Sequence, residues 1–264
     1  MSVFLKFLES NRRLSNRWTP DHVHEANVFG AYRKLGTIVL SHPKVSTVAD
    51  VGAGKKWQFP VYYKDWYKIN LIGLDIDGDE MSGNDALDER IVCNVMDGIP
   101  LPDDSVDLVM VHSGIEHFKD NEHFLHNAFR ILRPGGLILA QFPGRYAPFA
   151  IANRILPSWM AKRLLKISMG DSDDLGFKTY YDRTSYRAFS ALATHVGFDE
   201  IYYTPGYFSS SYFGFFSPLY ALSYTYDMVR YGLGIRAIAS YNLFLLRKPT
   251  IEPETEPFQL YAWK

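Results

Sequence analysis

The chain has 264 residues, 47% of them hydrophobic and 22% charged, the composition of one globular domain with insertions or of two small domains. A net charge of −1 gives no field that would draw in nucleic acid, and the single cysteine, Cys93, excludes an internal disulfide framework and a Cys-rich metal site. A reducing, cytoplasmic setting is the simplest fit.

The opening "MSVFLKFLESNRRLSNRW" is too short and too interrupted, by Lys6 and Glu9, for a secretory signal. Val3, Phe4, Phe7 and Leu8 share one helical face, so residues 1–44 are expected to form a helical cap on the domain, with a membrane-surface helix as the alternative. From residue 46 apolar strands alternate with helices. "STVADVG" ends at a glycine turn from which a helix should start, and "INLIGLDID" (69–77) and "RIVCNV" (90–95) follow. "SVDLVMVHS" (105–113) and "GLILAQFPG" (136–144) are the fourth and fifth runs. Between them "DNEHFLHNAFRILRPGG" has helical spacing and should stop at Pro134-Gly135-Gly136. This rhythm implies an α/β, doubly wound, mostly parallel sheet, in which ligands bind beyond the carboxyl ends of the strands.

After residue 144 the rhythm loosens. An insertion near 145–180 reads as amphipathic helices broken at Pro157, followed by an acidic link at 170–176. "DRTSYRAFSALATHVGF" (182–198) is a helix that Asp182 or Thr184 can cap and Gly197 can end. "FDEIYYT" (198–204) and "SYNLFLLRKP" (240–249) are the sixth and seventh strands, separated by an insertion near 205–240. The main domain thus runs over 45–250. The tail 251–264 is expected to be loose, with Phe258, Tyr261 and Trp263 able to dock.

The turn "DVGAGKKW" (50–57) decides among ligands. A phosphate-cradling loop needs four residues between two glycines and then Lys-Ser/Thr, and that pattern is missing. A dinucleotide turn would place a third glycine where Trp57 stands. An adenosyl ligand without a pyrophosphate fits better. Gly52 and Gly54 leave room for backbone approach, Asp75 can accept both hydrogen bonds of a ribose diol, and Asp97 can meet an adenine amino group. Asp50, Asp75 and Asp97 all sit at predicted strand ends and should converge on one crevice.

"VADVGAG", "LIGLDID", "CNVMDGIPLPDDSVDLVMVHSGIEH" and "AFRILRPGGLILAQFP" resemble, in order, the four motifs of class I S-adenosylmethionine-dependent methyltransferases, most closely the branch that includes the ubiquinone/menaquinone-pathway enzymes. The resemblance spans about residues 45–145. It implies a Rossmann-like sheet of seven strands whose last strand inserts antiparallel beside the sixth. It also implies S-adenosyl-L-methionine as cofactor. Asp50, Gly52 and Gly54 would hold its methionine end, Asp75 the ribose and Ile76 the adenine face. Asp97 and Gly98 would meet the adenine edge, and His112 and Ser113 would lie near the transferable methyl. Lys55 departs from the family's third glycine. Its side chain can be solvated, pair with the cofactor carboxylate, or mark a non-catalytic relative serving as a binding or membrane-associated scaffold.

Methyl transfer from a sulfonium needs alignment more than a fixed catalytic group, and a hydroxyl acceptor gains from a base. "HSGIEHFKDNEHFLH" offers His112, Glu116, His117, His123 and His126. His117, in the loop after the fourth strand, is the candidate base. His123 and His126 lie one turn apart with no further ligand in register, so no metal is expected. Arg145, Tyr146, Tyr180 and Tyr181 are candidates for the acceptor pocket. The acceptor itself is a small molecule or a lipid- or glycan-linked one. Residues 201–226 carry no charge and many aromatics, but Pro205-Gly206, the serines and Pro218 interrupt any membrane span. Without a basic face of their own they are expected to form a lid or core, with peripheral membrane contact and a homodimer surface as alternatives.

Overall fold

The computed structural model describes residues 3–20, 23, 27–169 and 178–250. Seven strands form one sheet: β1 (Thr47–Val51), β2 (Asn70–Asp75), β3 (Glu89–Val92), β4 (Val106–His112), β5 (Leu132–Pro143), β6 (Asp199–Gly206) and β7 (Tyr241–Arg247). Their order is β3-β2-β1-β4-β5-β7-β6, with β7 antiparallel to both neighbours and the other pairs parallel. The expected mixed α/β sheet is therefore present, and its order reverses between β1 and β4, which opens a crevice at their carboxyl ends.

Alternation along the strands divides the core into two layers. Val48, Leu108 and Met110 point to the layer of α2 (Val28–Leu40), where they meet Tyr32, Leu35 and Val39. Ala49, Val109 and Val111 point to the layer of α5 (Asn121–Ile131) and α8 (Tyr186–Val196), against Phe124, Leu125 and Phe189. Each fully buried Leu, Ile or Phe in these layers stabilises the fold by about 1.5–3 kcal/mol.

Several local expectations change. The glycine turn does not enter a helix at once. Residues 55–61 are irregular, and the short α3 starts only at Tyr62 (Tyr62–Tyr67), because Trp57 and Phe59 turn inward and bury against α2. A short α4 (Gly78–Ser82) follows β2. The third strand is shorter than expected, ending at Val92, where the residues after it fold into a turn. Helix α5 stops at Ile131, and Pro134-Gly135-Gly136 lies inside β5. A Cβ on Gly136 would come within 2.8 Å of the Arg133 carbonyl, so only glycine lets the chain pass there. Asp182 does not cap α8. Its Oδ2 instead accepts the Asn121 N–H (3.0 Å) at the start of α5, and α8 begins at Ser185 without a side-chain cap, with Thr184 buried before it. Gly197 ends α8 with φ +112°, as expected.

Three further helices lie outside the sheet: α1 (Val3–Trp18), α6 (Pro148–Ile155) and α7 (Ser158–Met169), the last two broken at Pro157. The stretch after β6 forms a 3-10 turn (Ser210–Phe213) and α9 (Ser217–Gly232). Helix α1 packs on α9: Asn11 accepts from Ser217 N (2.9 Å) and Ser15 donates to Gly214 O (3.2 Å). The acidic link at 170–176 and the tail with Phe258, Tyr261 and Trp263 lie outside the described residues. No helix among the described residues is long and apolar enough to cross a membrane.

A buried ion pair fastens α9 to the sheet. Asp227 accepts from Ser209 N (2.8 Å) and Ser210 N (2.9 Å), while Arg230 reaches Asp227, Tyr207 O (2.9 Å) and Ser240 Oγ (2.8 Å). Asp227→Ala leaves Arg230 as an uncompensated buried charge. Chemical denaturation should show a loss of about 3–5 kcal/mol, with an unchanged m-value if the rest of the fold persists.

Candidate cofactor and acceptor site

The carboxyl end of β1 turns on two glycines with positive φ, Gly52 (+73°) and Gly54 (+49°). Gly52 N donates to Leu74 O (2.8 Å) and Gly54 N to Asp75 Oδ2 (2.9 Å), so the turn is held against the end of β2. Asn84 clamps it from outside through the carbonyls of Ala53 and Gly54, both at 3.2 Å. A Cβ on Gly52 would meet nothing within 4 Å, so this face of the turn is open. Lys55, in place of the third glycine, lies 3.7 Å from Glu80 on α4.

Asp75 also receives Asp77 N at its other oxygen (3.0 Å), which fixes the carboxylate while leaving acceptor capacity on both oxygens. Ile76 beside it is exposed. Asp97 is exposed as well, held by Asn94 Nδ2 at 3.0 Å, and Gly98 follows with φ +124°. Asp50 is buried, and burial together with the charge of Asp75 pushes its carboxyl up to about 7. An open glycine turn, a fixed acceptor-only carboxylate and an exposed aliphatic side chain on one strand edge fit an adenosyl ligand.

At the end of β4, His112 packs against Tyr32 (4.9 Å between ring centroids) and Phe29 (5.7 Å) of α2. Burial and nearby Arg33 push its imidazole down to about 4, so it is neutral at pH 7. Ser113 takes φ +56°, uncommon for a non-glycine residue, and bonds Gln141 through backbone (2.8 Å) and side chain (3.3 Å).

The 3-10 turn Ile115–His117 follows. Glu116 is buried, and its Oε2 has no hydrogen-bond partner among the described residues. Burial pushes its carboxyl up to about 8. Its carbonyl receives Tyr180 N (2.8 Å) and Tyr181 N (3.1 Å), which brings a segment distant in sequence onto this turn. Burial raises the phenols of Tyr181, Tyr212 and Tyr241, and the nearby Glu116 charge adds to it. His117 turns its Nδ1 to Lys178 O (3.1 Å), and its Nε2 is 3.9 Å from Glu116 Oε1. Burial lowers its imidazole, so it is neutral at pH 7.

The other acceptor candidates are not gathered equally. Tyr180 stacks beneath Lys178 (5.0 Å) and Lys119 (5.6 Å). Arg145 lies over the exposed ring of Tyr146 (5.7 Å), and its backbone bonds Thr184 O (3.3 Å). His123 bonds Asn127 on its own helix (3.0 Å), and no group of three His, Cys, Asp or Glu among the described residues is placed to hold a metal. Sequence reasoning assigned no role to Phe29, Tyr32, Tyr212 and Tyr241. Their contribution comes from packing across distant segments, and only the Glu-His pair was visible as a local signal.

The family described as "Methyltransferase domain" matches residues 49–140, which span β1 to β5 and every cofactor candidate above. Over that segment the chain is similar to a methyltransferase domain. A probable S-adenosylmethionine-dependent methyltransferase of Mycolicibacterium smegmatis is 39% identical over 79 residues, covering 28% of this chain and 30% of the relative. The chain thus spans less than a third of that relative's length. Among solved structures, a S-adenosylmethionine-dependent methyltransferase of Archaeoglobus fulgidus superposes with a TM-score of 0.52 at 14% identity, covering 83% of this chain and 93% of that one. A chain of the Haloferax volcanii Trm112 methyltransferase activator complex gives 0.53 at 16% identity, covering 83% and 89%. At these identities the likeness concerns the fold alone.

Proposed function

We propose that the protein is a methyltransferase that uses S-adenosyl-L-methionine on an acceptor entering between the β4 turn and the aromatic insertion. The observation that carries this reading is the open Gly52 turn bonded to Asp75, inside the segment that the methyltransferase family matches. Asp50, Gly52 and Gly54 would face the methionine end, Asp75 and Ile76 the adenosine, Asp97 and Gly98 the adenine edge, and His112 and Ser113 the reacting end. Lys55 meets Glu80 at 3.7 Å, which supports reading the residue in place of the third glycine as a solvated pair beside the turn.

S-adenosylmethionine, when bound, supplies a methyl on a positive sulfur that leaves as a neutral thioether. Glu116 would be the group suited to take the acceptor's proton, at Oε2. His117, bonded to Lys178 O, is better suited to hold the loop than to act as the base. The buried tyrosines Tyr181, Tyr212 and Tyr241 offer an apolar wall with polar tips, which suits a lipid-linked or aromatic acceptor. Such an acceptor agrees with the motif resemblance to the ubiquinone/menaquinone branch, which alone supports that finer placement.

Calorimetric titration with S-adenosylhomocysteine tests the reading, with Gly52→Ala alongside. The added methyl enters the open face at φ +73° and strains the turn by about 1–3 kcal/mol. Micromolar binding by the native chain, weakened at least about tenfold in Gly52→Ala, is expected. A folded native chain that binds none overturns the reading.

A further inference from the structure

We infer that the helical body formed by α1, α6–α7 and α9 is a docking surface for an anionic lipid bilayer. This goes beyond the methyltransferase reading and does not depend on it. The elements form one contiguous body: Asn11 and Ser15 of α1 bond Ser217 and Gly214, Arg12 bonds the carbonyls of Ile167 and Ser168 on α7, and Ser168 Oγ bonds Tyr212 O (2.6 Å). Each helix leaves large apolar side chains in solvent. On α9 these are Leu222, Tyr226 and Val229, with Leu233 just past its end, a spacing that keeps them on one helical line. On α1 Phe7, Leu14 and Trp18 form a similar line, and at the α6–α7 corner Ile155 (76% exposed) and Trp159 (67%) protrude. A monomer rarely exposes so much apolar side chain in one region without a partner.

Charge identifies the partner. Residues 3–20, 145–169 and 207–240 hold eleven Lys or Arg and only two acids, Glu9 and Asp227, whereas the whole chain has 28 basic and 29 acidic residues. Asp227 and Arg230 are buried against each other, so neither contributes surface charge, which leaves ten cations against Glu9. Residues 145–169 contain five cations and no acid. Exposed aromatics and aliphatics interleaved with cations are the composition of helices that lie in a membrane interface. Two copies meeting face to face would bring like charge against like charge, which disfavours a self-association surface.

The same body holds a small apolar cleft lined by Phe149, Ala152, Leu156, Ala161, Phe213 and Phe215. Tyr212 lines it too, and both Phe149 (5.6 Å between ring centroids) and Tyr212 contact Tyr241, which touches Phe29 (5.3 Å) beside His112. Packed aromatic rings thus link the docking face to the end of β4.

The full chain is pelleted with vesicles of phosphatidylcholine, alone or with phosphatidylglycerol added, and its fold is checked by circular dichroism. Binding to the anionic vesicles only, weakened by salt, is expected. Arg13→Glu with Arg17→Glu should lower the partition at least about tenfold, since each surface cation contributes about 1 kcal/mol. Trp159→Glu, on another element, should also lower it severalfold with no loss of fold. Three results would overturn the inference. The folded native chain may stay in the supernatant with anionic vesicles, or both sets of variants may bind as the native chain does. Sedimentation velocity may instead reveal a dimer that Leu222→Glu dissociates, which would make this face a contact between copies.

Discussion

Asp75→Ala is expected to lower affinity for S-adenosylhomocysteine by about 100-fold or more, measured by calorimetry. Two hydrogen bonds from a ribose diol to a carboxylate contribute on the order of 1.5–3 kcal/mol each, and tenfold in affinity corresponds to about 1.4 kcal/mol. The same substitution removes the acceptor for Gly54 N and Asp77 N, so the turn loses its anchor as well as its ligand contact. Asp75→Asn separates the two effects: its amide oxygen can keep one backbone bond, but the charge and one acceptor are lost. Affinity intermediate between native and Asp75→Ala would assign the balance to the turn. Native affinity in both variants would place the ribose elsewhere.

Glu116→Gln should have the second largest effect, and its signature is a pH profile. The carboxyl sits at about 8, so most of it is protonated at pH 7 and only the ionised fraction can accept a proton. With an active acceptor, kcat should rise with pH toward a plateau above about 8. In Glu116→Gln that limb should vanish and kcat fall by about 10²–10⁴, with S-adenosylhomocysteine affinity nearly unchanged. His117→Ala is expected to retain the limb. Loss of the limb in His117→Ala instead would return the base role to the histidine.

The same carboxyl ties stability to pH. Its folded value lies above the ordinary 4.5, so the folded chain binds the proton more tightly than the unfolded chain does. The stabilisation of the protonated form is complete below about 4.5 and is lost as pH rises through about 8. Asp50 acts in the same direction between 3.8 and about 7. The ligand-free protein should therefore lose stability from weakly acidic to weakly basic pH, by a few kcal/mol at about 1.4 kcal/mol per pKa unit. Glu116→Gln should remove its share of that loss between about 4.5 and 8, which above about 7 is nearly all of it, and Tm measured across the range checks this.

Much of the candidate cofactor side was legible because it is local in sequence. Each of β1, β2 and β4 is an apolar run ending in a polar residue or a glycine, and a doubly wound sheet delivers all such ends to one edge. Asp50, Gly52, Asp75, His112 and Ser113 could therefore be placed together without knowing any tertiary contact. The turn after Gly54 was harder, since nothing local says that Trp57 and Phe59 turn inward against α2 before a helix can start. Asp182 was misread for a related reason. Next to a helix start it looks like a cap, but the fold gives its carboxylate a nearer donor at Asn121 of another helix.

The sequence by itself determined the fold class, the glycine turn and the acidic strand ends, because strand period, turn chemistry and carboxylate position are properties of short segments. Tertiary structure alone decided the chemistry around Glu116. Burial raises its carboxyl, and the backbone N–H groups of Tyr180 and Tyr181, about 65 residues away in sequence, fold back onto its carbonyl. The charge of the helical body was decided in the same way. The aromatic stretch carries almost no cations, and the basic residues that flank it come from helices roughly 50 and 200 residues earlier in the chain, a proximity that long-range packing creates and no local pattern encodes.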